Sequence, residues 1–262
     1  MALGLYLYFN QGRMVFMPLK ELALIPTDVL DFPYEDIYVP VTAKEKIHAW
    51  YFPDEVSTKA VLFCHGNAGN ISHRMETVAY LRGLGVSVML FDYRGYGLSD
   101  GSPSEPGVYR DTRAAYDWLI DKRGFLPEDI VVFGRSLGGA AAIDLAGEVK
   151  CGGLVVESSF TSAYDIGKTM FPFFPVSYLL RYRFDSLEKI KHVTCPVLVT
   201  HSPADDMIPY EMGRKLFEAA PEPKTFVALS GDHNSRDYFA DNAYRRALQN
   251  IIGISPTDRS GR

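Results

Sequence analysis

The chain repeats one pattern: a short, almost wholly apolar run, then a longer segment with helical periodicity. Ala60–Cys64, Val86–Phe91, Ile130–Phe133, Leu154–Val156 and Val197–Thr200 are the apolar runs. A strand with one wet face alternates apolar and polar residues, whereas a strand buried on both faces need not. Helical candidates fill the gaps at His73–Leu84, Val108–Lys122, Leu137–Glu148, Tyr210–Ala219 and Ser235–Ile251. In the last of these, Phe239, Ala243, Ala247 and Ile251 recur every four residues, as one face of a helix does. Glu35–Val41 and His48–Phe52 read as a leading pair of strands, and Thr225–Leu229 as a closing one. Strands that alternate with helices are joined by crossovers and run parallel. The predicted class is therefore α/β, with a mainly parallel eight-stranded sheet flanked by helices.

Composition narrows the function classes. With 262 residues and 47% hydrophobic content, the chain can bury a core without disulfides or metals. Lys plus Arg number 27 against 32 Asp plus Glu, a net charge of −5. Such a chain lacks the basic surplus that nucleic-acid binding requires. Its three cysteines, Cys64, Cys151 and Cys195, are too few for a disulfide framework and are not spaced as a zinc site. That usage fits a cytoplasmic setting.

No repeat or linker divides the chain. Residues 34–254 read as one domain, preceded by an N-terminal segment (1–33) and followed by a frayed, disordered tail (255–262). Met1–Phe9 is apolar, but a bilayer span needs about 18 such residues, and no basic stretch precedes it. It reads either as a segment packed on the domain or as the stump of a membrane anchor. The second reading implies peripheral membrane contact through the N-terminus.

Ligands of parallel sheets bind beyond the carboxyl ends of the strands. Ala60–Cys64 is followed by His65-Gly66-Asn67-Ala68-Gly69-Asn70, and Val86–Phe91 by Asp92-Tyr93-Arg94-Gly95-Tyr96-Gly97. Ile130–Phe133 runs into Gly134-Arg135-Ser136-Leu137-Gly138-Gly139 and then an alanine-rich helix. This is G-x-S-x-G between a strand and a helix, where the serine sits on a sharp turn with its hydroxyl exposed. The positions two before and two after must be small, since a Cβ there would strike the neighbouring strand or helix. A serine nucleophile needs a base, and the base needs an acid to orient it. Asp205 follows Val197–Thr200, and His233 follows Thr225–Leu229. The order Ser136, Asp205, His233 is the one this architecture demands.

With these residues assembled, the sequence resembles the α/β-hydrolases, and within them the single-domain serine hydrolases of the depalmitoylase-like and monoglyceride-lipase-like branch. The likeness spans about Tyr34 to Ile251 and includes Arg183-Phe184-Asp185-Ser186. It implies that Ser136 attacks an acyl carbonyl, that His233 relays the proton, and that Asp205 orients the imidazole. It also implies an oxyanion hole formed by the backbone N–H groups of Asn67 and Leu137. The loop His65-Gly66-Asn67 has no run of three glycines and resembles the narrower kind of oxyanion loop. Two positions depart from the pattern. Ser202 follows His201 where relatives have glycine, and Asp232 precedes the base where relatives have a small residue. Asp232 is expected to face solvent or to pair with an arginine.

Rival assignments exist. Asp206 is the alternative acid. His65 and His201 read as hydrogen-bonders that shape the loops, Cys64 as a small core hydrophobe, and Asp92 as a pin for the glycine turn that follows it. No metal-spaced cluster and no phosphate cradle is present, so neither metal nor cofactor is expected. The stretch at about 158–187 breaks the alternation and is expected to form a small lid. Within it Phe171, Phe173, Phe174 and Tyr178 either line an acyl pocket or pack on the body.

The expected activity is that of a serine carboxylesterase, cleaving short- to medium-chain acyl esters of small molecules or lipids through an acyl-enzyme. The alternatives are an acyl-thioesterase or monoacylglycerol lipase at a membrane surface, and a non-catalytic ligand receptor on the same fold. Dehalogenase and epoxide-opening chemistry require a carboxylate where Ser136 stands.

Overall fold

The computed structural model describes residues 11–12, 15–170 and 180–254. Ten strands are present among them: β1 Met17–Pro18, β2 Glu35–Pro40, β3 Lys46–Phe52, β4 Ala60–Cys64, β5 Ala68–Gly69, β6 Ser87–Phe91, β7 Ile130–Arg135, β8 Gly153–Glu157, β9 Val197–His201 and β10 Lys224–Ala228. Eight form one sheet in the order β10-β9-β8-β7-β4-β6-β3-β2. Only the β2–β3 and β3–β6 pairings are antiparallel. The α/β class and the mainly parallel sheet agree with the sequence reading.

The continuous apolar runs have a simple cause. Along β4, Ala60, Leu62 and Cys64 enter the core on one side of the sheet, and Val61 and Phe63 enter the core on the other. β7 divides likewise, with Ile130 and Val132 opposite Val131 and Phe133. Burying one large aliphatic or aromatic side chain contributes roughly 1.5–3 kcal/mol, so each face of a central strand is strongly specified. Helices α2 (Glu105–Arg123), α3 (Leu137–Glu148) and α6 (Tyr210–Ala219) cover the first side. Helices α1 (Met75–Gly83) and α7 (Asn242–Ile252) cover the second. Two shorter helices, α4 (Ala163–Met170) and α5 (Ser186–Lys189), lie between β8 and β9.

Helix boundaries follow local capping. α2 starts three residues before its predicted Val108, because Ser104 Oγ accepts the Gly107 N–H at 3.2 Å and Pro106 fits the first turn. The predicted helix at Ser235–Ile251 is interrupted. Asp241 breaks it by accepting the Ala243 N–H at 2.6 Å, which starts α7 at Asn242. Its fully buried positions are then Tyr244, Leu248 and Ile252, one residue on from the predicted face. No periodicity pointed to the two-residue parallel pairing of β1 with β5, which lays the N-terminal segment across the loop after β4.

Among the described residues no helix is long and apolar enough to cross a membrane. Met1–Phe9, the tail 255–262, and Phe171, Phe173, Phe174 and Tyr178 lie outside the described residues.

Candidate active site

Ser136 occupies the turn between β7 and α3, with φ 54° and ψ −119°. Such a conformation costs a residue with a Cβ on the order of 1–3 kcal/mol, and only surrounding structure can hold it. The Ser136 N–H donates to the Glu157 carbonyl at 2.9 Å. Its own carbonyl accepts from the Gly139 N–H at 2.9 Å and from Ser159 Oγ at 2.8 Å. The glycines around it are required by space. A Cβ on Gly134 would lie 2.1 Å from the Gly138 oxygen, and one on Gly138 would lie 1.9 Å from the Cys64 oxygen. The loop after β4 passes close by, since a Cβ on Gly66 would touch Ser136 Cβ at 3.4 Å. Leu137 opens α3, where the first N–H groups have no partner within the helix.

His233 lies in the loop after β10, with its side chain 4% exposed. Its Nδ1 is 2.8 Å from Asp205 Oδ2. Asp206, the rival acid, instead accepts the backbone N–H of His233 at 3.1 Å. The Asp205 side chain is fully buried, and its other oxygen accepts the N–H groups of Met207 and Ile208 at 2.9 and 2.8 Å. His201 Nε2 lies 3.2 Å from Asp205 Oδ2 and 2.9 Å from the Ile208 carbonyl. Burial alone would raise the Asp205 carboxyl. The hydrogen bonds from His201, His233 and the Ile208 N–H outweigh it and hold the group well below the ordinary carboxylate range.

The two departures have local explanations. Ser202 Oγ donates to the Gly231 carbonyl and accepts the Ala204 N–H at 3.1 Å, tying the Asp205 loop to the His233 loop. Asp232 is exposed, as expected. Its carboxylate caps its own turn, accepting the N–H groups of Asn234 and Ser235 at 2.9 and 2.8 Å, which lower its pKa. Asp92 differs from expectation. It is fully buried and accepts the Ile71 N–H at 3.0 Å, so it pins the end of the first glycine loop rather than the turn that follows it. The reason is that the N–H groups of the following turn are taken: Arg94 donates to Asp111 Oδ2, Gly95 to the Asp100 carbonyl, Tyr96 to the Tyr93 carbonyl and Gly97 to the Leu19 carbonyl. Cys64 is buried, which pushes its thiol up and keeps it protonated.

A sequence model described as the alpha/beta hydrolase family matches residues 61–186. An uncharacterized protein of Mycobacterium tuberculosis is 39% identical over 251 residues, covering 95% of this chain and 89% of that protein. The alpha/beta hydrolase domain-containing protein WAV2 of Arabidopsis thaliana is 33% identical over 251 residues, covering 85% of this chain and 81% of that protein. The chain belongs to the alpha/beta hydrolase family. Its fold is similar to that of the esterase Pf2001 of Pyrococcus furiosus, with a TM-score of 0.75 at 20% identity, over 90% of this chain and 98% of that one.

In this hydrolase the residues around Ser136 and His233 are tied together by a group that sequence reasoning overlooked. Arg135 Nη2 donates to the His233 carbonyl, and Arg135 Nε lies 3.3 Å from Glu157 Oε1. Glu157 is 1% exposed and also accepts from the hydroxyls of Tyr238 at 2.8 Å and Tyr244 at 2.6 Å. Burial beside that carboxylate pushes both phenols up. A signal for Glu157 was available. It is a charged residue closing an apolar run, and so stands at the carboxyl end of a strand like the other site residues.

Proposed function

We propose that the protein is a serine carboxylesterase that cleaves short- to medium-chain acyl esters through an acyl-enzyme. The observation that carries this reading is the strained Ser136 on a strand-to-helix turn, together with the 2.8 Å bond between buried Asp205 and His233 Nδ1. The likeness in fold to an esterase supports it.

In this reading Ser136 Oγ attacks the acyl carbonyl while His233 Nε2 takes the hydroxyl proton. Asp205 accepts the Nδ1 hydrogen, which fixes the tautomer and stabilises the imidazolium. Its lowered pKa keeps it ionised throughout the neutral range. The carbonyl oxygen becomes an oxyanion and accepts from the N–H groups of Asn67 and Leu137. Each such donor contributes on the order of 3 kcal/mol to transition-state stabilisation. Collapse breaks the ester bond, and the leaving alkoxide takes the proton from His233. A water then repeats the sequence on the acyl-enzyme, releasing the acid and restoring Ser136.

The test is hydrolysis of p-nitrophenyl esters of increasing acyl length, with Ser136→Ala in parallel. Activity in the wild type that disappears in Ser136→Ala is the expected result. A folded wild type that cleaves no ester and is not labelled at Ser136 by a fluorophosphonate overturns the reading.

A further inference from the structure

Residues 15–23 lie across both glycine loops, held through the main-chain groups of their odd-numbered residues, while Lys20 Nζ donates to the Ser99 carbonyl at 3.1 Å. The Val15 carbonyl accepts from Asn67 Nδ2 at 2.6 Å, and the Met17 N–H donates to Asn67 Oδ1 at 3.2 Å. The Leu19 N–H donates to the Gly69 carbonyl at 3.1 Å. The Leu19 and Glu21 carbonyls both accept from Asn70 Nδ2, at 3.0 and 2.7 Å. The Leu19 carbonyl also accepts the Gly97 N–H at 2.9 Å, and the Ala23 N–H donates to Ser72 Oγ at 2.9 Å. An extended segment presents the N–H and C=O of alternate residues to one side, as these residues do. The segment is therefore held as an extended strap beside the loops, apart from the eight-stranded sheet, and more by side-chain amides than by a ladder.

Its apolar side chains explain only part of the docking. Met17 and Leu19 are 59% and 53% exposed. Phe16 is buried and meets the rings of Tyr182 and Phe184 edge-on at 5.4 and 6.2 Å, and Val15 and Leu22 are partly buried against the core. On the loop side both amides have further partners. Asn67 Oδ1 accepts from Tyr96 Oη at 2.7 Å as well as from Met17. Asn70, wholly buried, accepts from the Ser72 N–H at 3.0 Å through Oδ1.

The chemistry of the site makes this arrangement consequential. A loop with two glycines has many conformations, yet an oxyanion donor must be aimed to within a fraction of an ångström. We infer that the strap at residues 15–23 positions the oxyanion loop, with Asn67 (through its side chain), Asn70 and Ser72 as positioning residues that fix the aim of the Asn67 backbone N–H. The inference rests on the esterase reading above. It identifies what the two asparagines of His65-Gly66-Asn67-Ala68-Gly69-Asn70 do, and it makes the N-terminal segment part of the catalytic apparatus without touching substrate.

The experiment compares wild type, Asn70→Ala and Ser72→Ala on p-nitrophenyl butyrate. Rates are normalised to the fraction of Ser136 that a fluorophosphonate titrates, which removes unfolded protein from the comparison. Each protein is also tested with a trifluoromethyl ketone, which adds Ser136 and carries an oxyanion where the substrate would. Loss of aim lowers kcat by about ten- to a hundredfold, leaves KM within about twofold, and weakens the ketone in proportion to kcat/KM. If Asn70→Ala does not fold, Ser72→Ala, which removes the acceptor of the Ala23 N–H, carries the comparison by itself. Normalised kcat and ketone affinity equal to wild type in these variants overturn the inference, as does a fall in kcat with ketone affinity unchanged. Either result leaves the esterase reading standing if wild-type activity depends on Ser136. A wild type with no Ser136-dependent activity overturns both.

Discussion

Replacing Gly138 with alanine tests how tightly the Ser136 turn is built. The added Cβ would stand 1.9 Å from the Cys64 oxygen, 2.5 Å from the Cys64 carbonyl carbon and 2.7 Å from the His65 oxygen. Carbon needs about 3.3 Å from a carbonyl oxygen, so α3 and the end of β4 must separate by more than about 1 Å. All three obstructing atoms are backbone, and no side chain can swing aside. Ordinary overpacking costs roughly 1–3 kcal/mol, and a backbone obstruction puts this variant at or above the top of that range. At about 2–4 °C per kcal/mol for a domain of this size, the melting temperature falls by about 6–12 °C or more. The displaced atoms belong to the residues that lead into Asn67, and a misplacement of about 1 Å in a site costs on the order of a hundredfold in rate. Two other glycines serve as controls. Gly83 ends α1, is exposed and has nothing within 4 Å of a built Cβ. Alanine there gains up to about 1 kcal/mol. Gly124 is equally open but has φ 72°, and alanine there costs about 1–2 kcal/mol from backbone strain alone. Thermal unfolding and esterase assays of the three variants give the ranking. A Gly138→Ala protein that melts with wild type and keeps its kcat would refute the reasoning.

Other variants probe the electrostatics. Asp205→Asn should lower kcat by about 10⁴-fold, the scale set by loss of the correct imidazole tautomer, with the fold retained by circular dichroism. Because the Asp205 carboxyl is held below its ordinary value, it stabilises the native state above about pH 4, and that contribution fades as pH falls further. The stability gap between wild type and Asp205→Asn in urea should accordingly be full at neutral pH and narrow under acid; a gap that widens under acid contradicts the assignment. Asp232→Asn should leave the acid limb of the kcat/KM profile where wild type has it, since that carboxylate is spent on its own turn; a displaced limb would show that it acts on His233. Glu157→Gln leaves Arg135 buried without its counter-charge and should cost about 3–5 kcal/mol by urea titration. A cost below about 1 kcal/mol, the scale of an exposed pair, would mean that Arg135 is not paired in solution.

Much of the fold was legible because burial on both faces leaves a plain mark. β4 and β7 have no alternation to lose, so their apolar runs locate them almost to the residue. The end strand β10 was predicted one residue late, because a strand exposed on one edge is less tightly specified by its neighbours. The site residues were legible for a related reason. A parallel sheet delivers its loops to one end, so the residue types that follow each strand can be read as a set. Glu157 and Arg135 escaped this reading because each looks unremarkable alone. Their part depends on Tyr238, Tyr244 and the His233 carbonyl, which come from segments 81 or more positions away in the chain. Asp92 was placed correctly at a strand end but given the wrong neighbour. The local turn was the obvious claimant for its oxygens, and Gly97 instead packs against the carboxylate without donating to it.

By itself the sequence determined the class of fold, the turn at Ser136 and the succession of serine, acid and histidine. These follow from apolar periodicity, from glycines with no room for a Cβ, and from chain order, all of which are local or one-dimensional. Only the tertiary structure decided that Asp205 rather than Asp206 faces the His233 ring, that Glu157 holds Arg135, and that residues 15–23 clasp the loop after β4. Two adjacent carboxylates differ in nothing but direction, and direction is set by which hydrogen-bond donors the rest of the chain brings near.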